Sequence, residues 1–296
     1  MDLHQLKVFH AIAETGSFTQ ASRKLHLSQS TVSQHIRQLE HELDSRLFAR
    51  VGKRVLITEA GKVLLGYCEK ILSDLRNAQM AIHELNGLQR GNVRFGSGAT
   101  TLIYQLPPVL MAFKSEYPEI NLVVMTDTTE AILAAIRAQQ LDLGLVMLPV
   151  TSPELEVTPL CEEELLVAVH RSHPLARKHS LTVRDVATLS FILYEKKTIM
   201  RKLIDDFFTD LGVRPQIAMV MENIEVIKSL VGAGLGASVL PEHAAGHRSR
   251  DAEVHLMRVR GHPLRRQLGL VSLKSAPRPN TVHKLTRAIL AEMSRS

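Results

Sequence analysis

The sequence is poor in the residues that mark several protein classes. Tryptophan is absent, and aromatic residues make up only 4% of the 296 residues, which gives weak ground for expecting a site that stacks a flat aromatic ligand. Cysteine occurs twice, as Cys68 and Cys161. Two distant cysteines exclude a disulfide framework and fit a reducing compartment. No apolar run approaches the ~20 residues that a membrane helix needs. The opening MDLHQLKVFHAIAE has no basic start and no small-residue cleavage site, so it does not read as a secretory leader. These absences point to the cytoplasm and away from a membrane. Catalytic signatures are missing too, with no Gly-x-Ser-x-Gly, His-Glu-x-x-His or P-loop. His243 and His247 have a metal-compatible i, i+4 spacing, but no acid or cysteine stands in a motif with them, and surface histidines are the expected reading. The Gly232-Ala-Gly-Leu-Gly236 run follows a helical stretch instead of a strand, so it is no dinucleotide fingerprint. Neither an enzyme nor a cofactor or metal is expected.

What is present is an ordinary globular composition, 45% hydrophobic and 22% charged, on a chain long enough for two or three domains. The net charge of +6 permits a nucleic-acid partner. Its distribution says more. Residues 1–58 carry eight Lys/Arg against five Asp/Glu, and four of the eight (Arg46, Arg50, Lys53 and Arg54) crowd one stretch. A second basic cluster, Arg258, Arg260, Arg265 and Arg266, reads as solvated surface.

Leu3, Leu6, Phe9, Ile12 and Ala13 recur at helical spacing and predict a helix over 3–14, which Gly16 ends. Ser17 offers an N-cap with Gln20 three residues on, the pattern of a capping box. Phe18, Ala21 and Leu25 form the stripe of a second short helix, and His26-Leu27 the turn. Ser28 caps a third, whose buried stripe is Val32, Ile36, Leu39 and Leu43. Its opposite face carries Gln29, Ser30, Thr31, Ser33, Gln34 and Arg37. Gln and Arg make bidentate bonds to adenine and guanine, Ser and Thr bond bases or phosphates, and a helix start favours phosphate. Two short helices with a tight turn have the layout of a helix-turn-helix, although the polar face alone also fits an ordinary surface helix. Arg50, Gly52, Lys53, Arg54 and Val55-Leu56-Ile57 then read as a basic hairpin, a wing whose cations would hold phosphates and set position.

From Thr58-Glu59 a long helical segment follows. Leu64, Cys68, Ile71, Leu75, Ala78, Ile82 and Leu85 form a heptad seam. At 1.5 Å per residue the helix would span about 43 Å, which calls for a partner. The same helix of a second chain is the favoured partner over the segment's own domain, and a dimer would match a two-fold DNA site. Cys68 reads as a packing residue on this seam.

The ordered motifs L-x-x-L-x-x-F, GSF-x-x-A-S-x-x-L, LSQSTVSQHIRQLE, L-F-x-R and L-T-x-A-G closely resemble the N-terminal region of LysR-type transcriptional regulators. Ser30 stands where a proline is common in that family. The resemblance implies a winged helix-turn-helix (1–58), a dimerising linker helix (59–90) and an effector-binding regulatory domain (91–296). It implies a homodimer paired into a homotetramer on an imperfect inverted repeat of double-stranded DNA, a small-molecule effector, and RNA polymerase as a further partner.

After Val93, strands alternate with helices. Strands are expected at 93–96, 120–125, 143–148, 165–169, 191–193, 217–221, 238–240 and 268–273, and helices at 102–117, 130–139, 200–211, 224–231 and 282–293, an α/β pattern with a parallel sheet. Two such series suggest two subdomains with a cleft. The resemblance adds a two-lobed, periplasmic-binding-protein-like arrangement, with lobe I at 91–161 and 268–296 and lobe II at 162–267. The cleft should lie at the carboxyl ends of strands. Ser97, Thr100, Thr101, Thr128, Thr129, Thr198, Arg201 and Asn223 stand at such places and are the expected effector contacts, suited to a small anion. Each Thr also fits a plain N-cap, and Arg201 also fits an ion pair with Asp205. A binding module without specific DNA function is the alternative reading. Cys161, alone in the regulatory half, offers no intradomain disulfide switch.

Overall fold

The computed structural model describes residues 1–51, 54–85, 91–244, 253–275 and 278–293. The chain divides into two compact units, Met1–Asn86 with Ala138–Gln140, and Gly87–Arg137 with Leu141–Ser296.

In the first unit, α1 (Leu3–Thr15) starts on a capping box at Asp2 and Gln5, with the Asp2 carboxylate accepting the Gln5 N–H at 2.7 Å. Gly16 ends it in the left-handed conformation, φ +61°. The capping box expected at Ser17 is half present. Ser17 Oγ accepts the Gln20 N–H at 3.3 Å and starts α2 (Phe18–Lys24), but the Gln20 side chain is exposed. Ser28 caps α3 (Gln29–Glu42) through the Thr31 N–H. Phe9, Ile12, Ala21, Val32, Ile36 and Leu39 meet in one core, as their spacing predicts. The hairpin follows, β1 (Phe48–Val51) against β2 (Arg54–Ile57), antiparallel with Phe48 opposite Ile57. Its expected turn residue, Gly52, lies outside the described residues, as does Lys53.

The helix α4 (Glu59–Leu85) is as long as the pattern demands, but its seam is split. Cys68 is fully buried against α1, with its thiol donating to the Leu6 carbonyl at 3.4 Å, and Leu64, Leu65 and Leu72 pack on the same core. The outward row is Val63, Tyr67, Ile71 and Ile82, with Val63 64% and Tyr67 67% exposed. The heptad reading merged these two stripes. A helix that serves its own domain on one side and is apolar on another has two faces at similar spacing, and a single seam cannot represent both.

In the second unit, β3 (Gly91–Ser97) lies between β4 (Ile120–Thr126) and β5 (Leu143–Met147), parallel to both. The helix expected at 102–117 is two, α5 (Ala99–Tyr104) and α6 (Leu106–Glu116), because Pro107 and Pro108 fit only a helix's first turn. The helix α7 (Thr129–Arg137) covers the sheet closely, and a Cβ on Gly96 would fall within 2.6 Å of Leu141 and 2.9 Å of Ile132. A sixteen-residue strand, β6 (Leu155–His170), then leads to α8 (Val183–Ala187), β7 (Ser190–Tyr194), α9 (Ile199–Asp210), β8 (Gln216–Met221), α10 (Ile224–Gly232) and β9 (Ser238–Pro241). The chain returns through β10 (Val254–Met257) and β11 (Leu264–Leu273) to α11 (Asn280–Met293). The parallel sheet expected is therefore only partly so. Seven strands run in the order β10-β6-β11-β5-β3-β4, with β9 also on β6, and β6 is antiparallel to β9, β10 and β11. The strands β7 and β8 form a separate parallel pair. The long strands β6 and β11 are the two connections between the α/β groups, and they pair along their length. Among the described residues no helix is long and apolar enough to cross a membrane.

Candidate functional site

The first unit presents the polar face of α3. Gln29, Ser30, Gln34 and Arg37 are exposed, and Thr31 and Ser33 are half-buried. Ser30 and Thr31 are partly committed to the cap, since their hydroxyls bond Ser28 Oγ at 2.7 and 2.8 Å. Arg50 and Arg54 take their places in the hairpin strands, while their side chains and the whole of Lys53 lie outside the described residues.

Glu40 was not singled out by the sequence, yet it ties the wing to α3. Its Oε1 accepts the Leu47 N–H at 2.8 Å and the Phe48 N–H at 3.4 Å, and its Oε2 accepts Arg46 Nη1 at 2.9 Å. A carboxylate in the last turn of α3 thus fixes where the hairpin starts. Arg46, the first cation of the basic stretch, is paired with it.

The second unit holds a cleft of about 440 Å³ at the carboxyl ends of β3, β4, β5, β7 and β8. Thr100, Thr101, Thr128, Thr129, Thr198 and Asn223 all line it. The helices α7, α9 and α10 point their N-termini at it, placing partial positive charge there. Capping and lining coexist at three of these residues. Thr128 Oγ1 accepts the Ala131 N–H at 3.3 Å, Thr198 Oγ1 the Arg201 N–H at 3.2 Å, and Asn223 Oδ1 the Glu225 N–H at 2.8 Å. Two expected contacts do not line the cleft. Ser97 is fully buried at the end of β3, its hydroxyl on the Gly98 carbonyl at 3.4 Å. Arg201 is buried and spent on its own lobe, with Nε on Asp205 at 2.8 Å and Nη1 on the Tyr194 carbonyl at 2.7 Å.

In their stead the cleft has Arg266 and Tyr194 in its lining, each 6% exposed. The solvated-surface reading holds for Arg258 and Arg265, which are exposed and meet Glu164 and Glu162. It fails for Arg266, which lies opposite Glu163 in the β6–β11 register and forms a buried ion pair with it. The strand period carried the signal, because Leu264 and Leu268 face the core and a side chain midway between them must do so too. Glu163 also accepts Gln105 Nε2 at 2.8 Å. Burial holds the Tyr194 phenol well above its ordinary pKa, so it is a neutral hydroxyl.

Tyr104 on α5 reaches the opposite group of elements. Its hydroxyl donates to Glu225 on α10 and accepts Lys228 Nζ at 2.8 Å, and Lys228 lies over the ring. Burial, reinforced by Glu225, pushes this phenol up to about 12. Cys161 is half-buried and its thiol is raised by that burial. His243 sits in a short 3-10 turn, and His247 lies outside the described residues.

Comparison with known proteins bears on both units. Residues 3–62 match the model of the bacterial regulatory helix-turn-helix protein, lysR family, and residues 86–294 that of the LysR substrate binding domain. A probable RuBisCO transcriptional regulator of Trichormus variabilis is 32% identical over 298 residues, covering 99% of this chain and 88% of the relative. Two solved structures share the fold. Full-length CbnR complexed with its target DNA has a TM-score of 0.75 at 23% identity, covering 99% of this chain and all of that one. The effector binding domain of QuiR in complex with shikimate has a TM-score of 0.62 at 24% identity, covering 70% of this chain and 98% of that one.

Proposed function

The chain belongs to the LysR family of DNA-binding transcriptional regulators, and from that premise we propose that it reads an imperfect inverted repeat through α3 while a small anion in the cleft sets its activity. Gln29, Gln34 and Arg37 contact base edges, Ser30, Thr31 and Ser33 support them, and Arg50, Lys53 and Arg54 hold phosphates. Thr100, Thr101, Thr128, Thr129, Thr198 and Asn223 hold the effector. The single observation carrying this reading is that one chain has an exposed amide- and Arg-bearing recognition helix and a cleft ringed by hydroxyls and helix starts.

The protein works as a homodimer joined through α4, whose exposed row Val63, Tyr67, Ile71 and Ile82 is too apolar to leave in water. Pairing of dimers into a tetramer is supported by the edge strands β4 and β8, each paired on one side only among the described residues, which expose Val123, Val124, Ile217 and Val220. The family is one of regulators, and the cleft binds without turnover. The place of action is the cytoplasm, with RNA polymerase as a further contact. The effector acts by binding one arrangement of the lobes better than another, which shifts the population of DNA-bound assemblies.

Selection of duplexes from a random and promoter-derived pool at fixed salt tests the DNA reading. The wild type is expected to enrich an inverted repeat, and the Gln34→Ala/Arg37→Ala double variant to lose the enrichment while keeping weak, salt-sensitive binding. Equal binding of all sequences by both proteins would reject it.

A further inference from the structure

Beneath the cleft lies a buried polar network that capping does not explain. Among the described residues Arg266 Nη2 and the Tyr194 hydroxyl oxygen find no hydrogen-bond partner, and both are closed to solvent, although both residues line the cleft. Gln105 Oε1 is a third unpartnered atom of the network, but Gln105 does not line the cleft. Orphaned donors on a buried guanidinium and phenol are rarely left empty in a working protein. Glu163 fixes the guanidinium through Nε and leaves Nη2 as the free donor. Tyr194, at the end of β7, belongs to the opposite group of elements from Gln105, so the network sits where the two halves meet.

Charge narrows what can enter. The cleft lining carries Asp127, Glu130, Glu195 and Glu222 against Lys197 and Arg266. Lys197 is engaged by Glu195 at 2.8 Å and Glu222 at 3.6 Å, and the charge of Arg266 is already matched by Glu163. A ligand group with two negative charges would meet an excess of carboxylates. One negative charge can be met by the donors and by the helix starts.

We propose that the inner end of the cleft is a receptor for a single carboxylate, taken by Arg266 Nη2 and the Tyr194 hydroxyl as the halves part to admit it. The rest of the ligand carries hydroxyl groups, which donate to Asp127 and Glu130 and bond Thr100 and Thr129 at the rim. The effector is thus a hydroxylated monocarboxylate, and phosphate monoesters are excluded by charge. This rests on the effector reading above and names its ligand class.

The test uses the full-length protein and thermal unfolding at matched ionic strength. The probes are D-gluconate, quinate and lactate, set against glycerol 3-phosphate and uncharged glucitol. At least one hydroxy acid is expected to raise the Tm, and the other two classes not to. The Tyr194→Phe variant removes a hydroxyl with no partner among the described residues, so the fold should be kept and the affinity for the hydroxy acid should fall at least tenfold. Arg266→Gln/Glu163→Gln, which removes the pair without stranding a charge, should lose it as well. The proposal is overturned if no hydroxy acid shifts the Tm, if glycerol 3-phosphate shifts it more, or if Tyr194→Phe binds as the wild type does. A phosphate ester that binds and alters DNA affinity would overturn the carboxylate assignment and leave the effector reading standing. A hydroxy acid lost in Tyr194→Phe but without effect on DNA affinity would support the receptor and remove the effector reading.

Discussion

Replacing Glu40 by alanine should loosen the hairpin without removing any of the proposed DNA contacts. In the wild type the Leu47 N–H is buried and donates to Glu40 at 2.8 Å. Without that acceptor the N–H stays buried and unpaired, which costs about 1–3 kcal/mol. The Arg46 pair adds under about 1 kcal/mol, since the arginine side chain is 81% exposed. The total is about 2 kcal/mol, or roughly a thirtyfold change in a local opening equilibrium. Amide exchange across residues 46–49 of the full-length protein reads this directly. Leu47 should exchange roughly thirtyfold faster in Glu40→Ala, and much less so in Glu40→Gln, whose amide oxygen still accepts. DNA affinity should fall in Glu40→Ala with base preference unchanged, since the hairpin is proposed to hold phosphates, and such contacts set position and not sequence preference. Exchange at Leu47 within twofold of wild type would show that Glu40 does not hold the start of the hairpin.

Two further outcomes follow from the described contacts. Tyr104→Phe should cost about 1 kcal/mol of stability in the regulatory unit, measured by denaturant unfolding. Because the folded Tyr104 pKa is raised to about 12 from an ordinary 10, its bridge to Glu225 and Lys228 is fully present below pH 10 and lost as pH rises towards 12. The difference between wild type and Tyr104→Phe should therefore be constant from pH 6 to 9 and shrink above 10, and a difference that grows there would contradict the assignment. Native thiol labelling at pH 8 should leave Cys68 untouched, since burial lifts it to about 12, and modify Cys161 only slowly. Rapid alkylation of Cys68 in the folded protein would show that its packing against α1 is wrong.

The sequence made the DNA-facing unit legible because its signals are local. Ser28 as a cap and Val32, Ile36 and Leu39 as a stripe determine α3 without reference to the rest of the chain. The α4 seam misled because Cys68 answers to α1 and Ile71 does not, and one-dimensional spacing does not say which neighbour a stripe meets. The break before α6 was readable in Leu106-Pro107-Pro108. The length of β6 was hidden by the charged run Glu162-Glu163-Glu164, of which Glu162 and Glu163 pair with Arg265 and Arg266 of β11, a strand distant in sequence. The threonines of the cleft were found because helix starts at strand ends are a local pattern. Arg266 was missed because its role depends on that distant pairing, although the inward period of Leu264 and Leu268 pointed to it.

Occupation of the cleft is proposed to change DNA binding. The most direct test is the affinity of the full-length protein for its selected inverted repeat, at one salt concentration, with and without a saturating amount of the hydroxy acid that most raises its Tm. A change of at least fivefold, in either direction, is expected in the wild type and none in Tyr194→Phe. By linkage, the operator should change the affinity for the hydroxy acid by the same factor. An unchanged operator affinity with the cleft saturated would contradict the account.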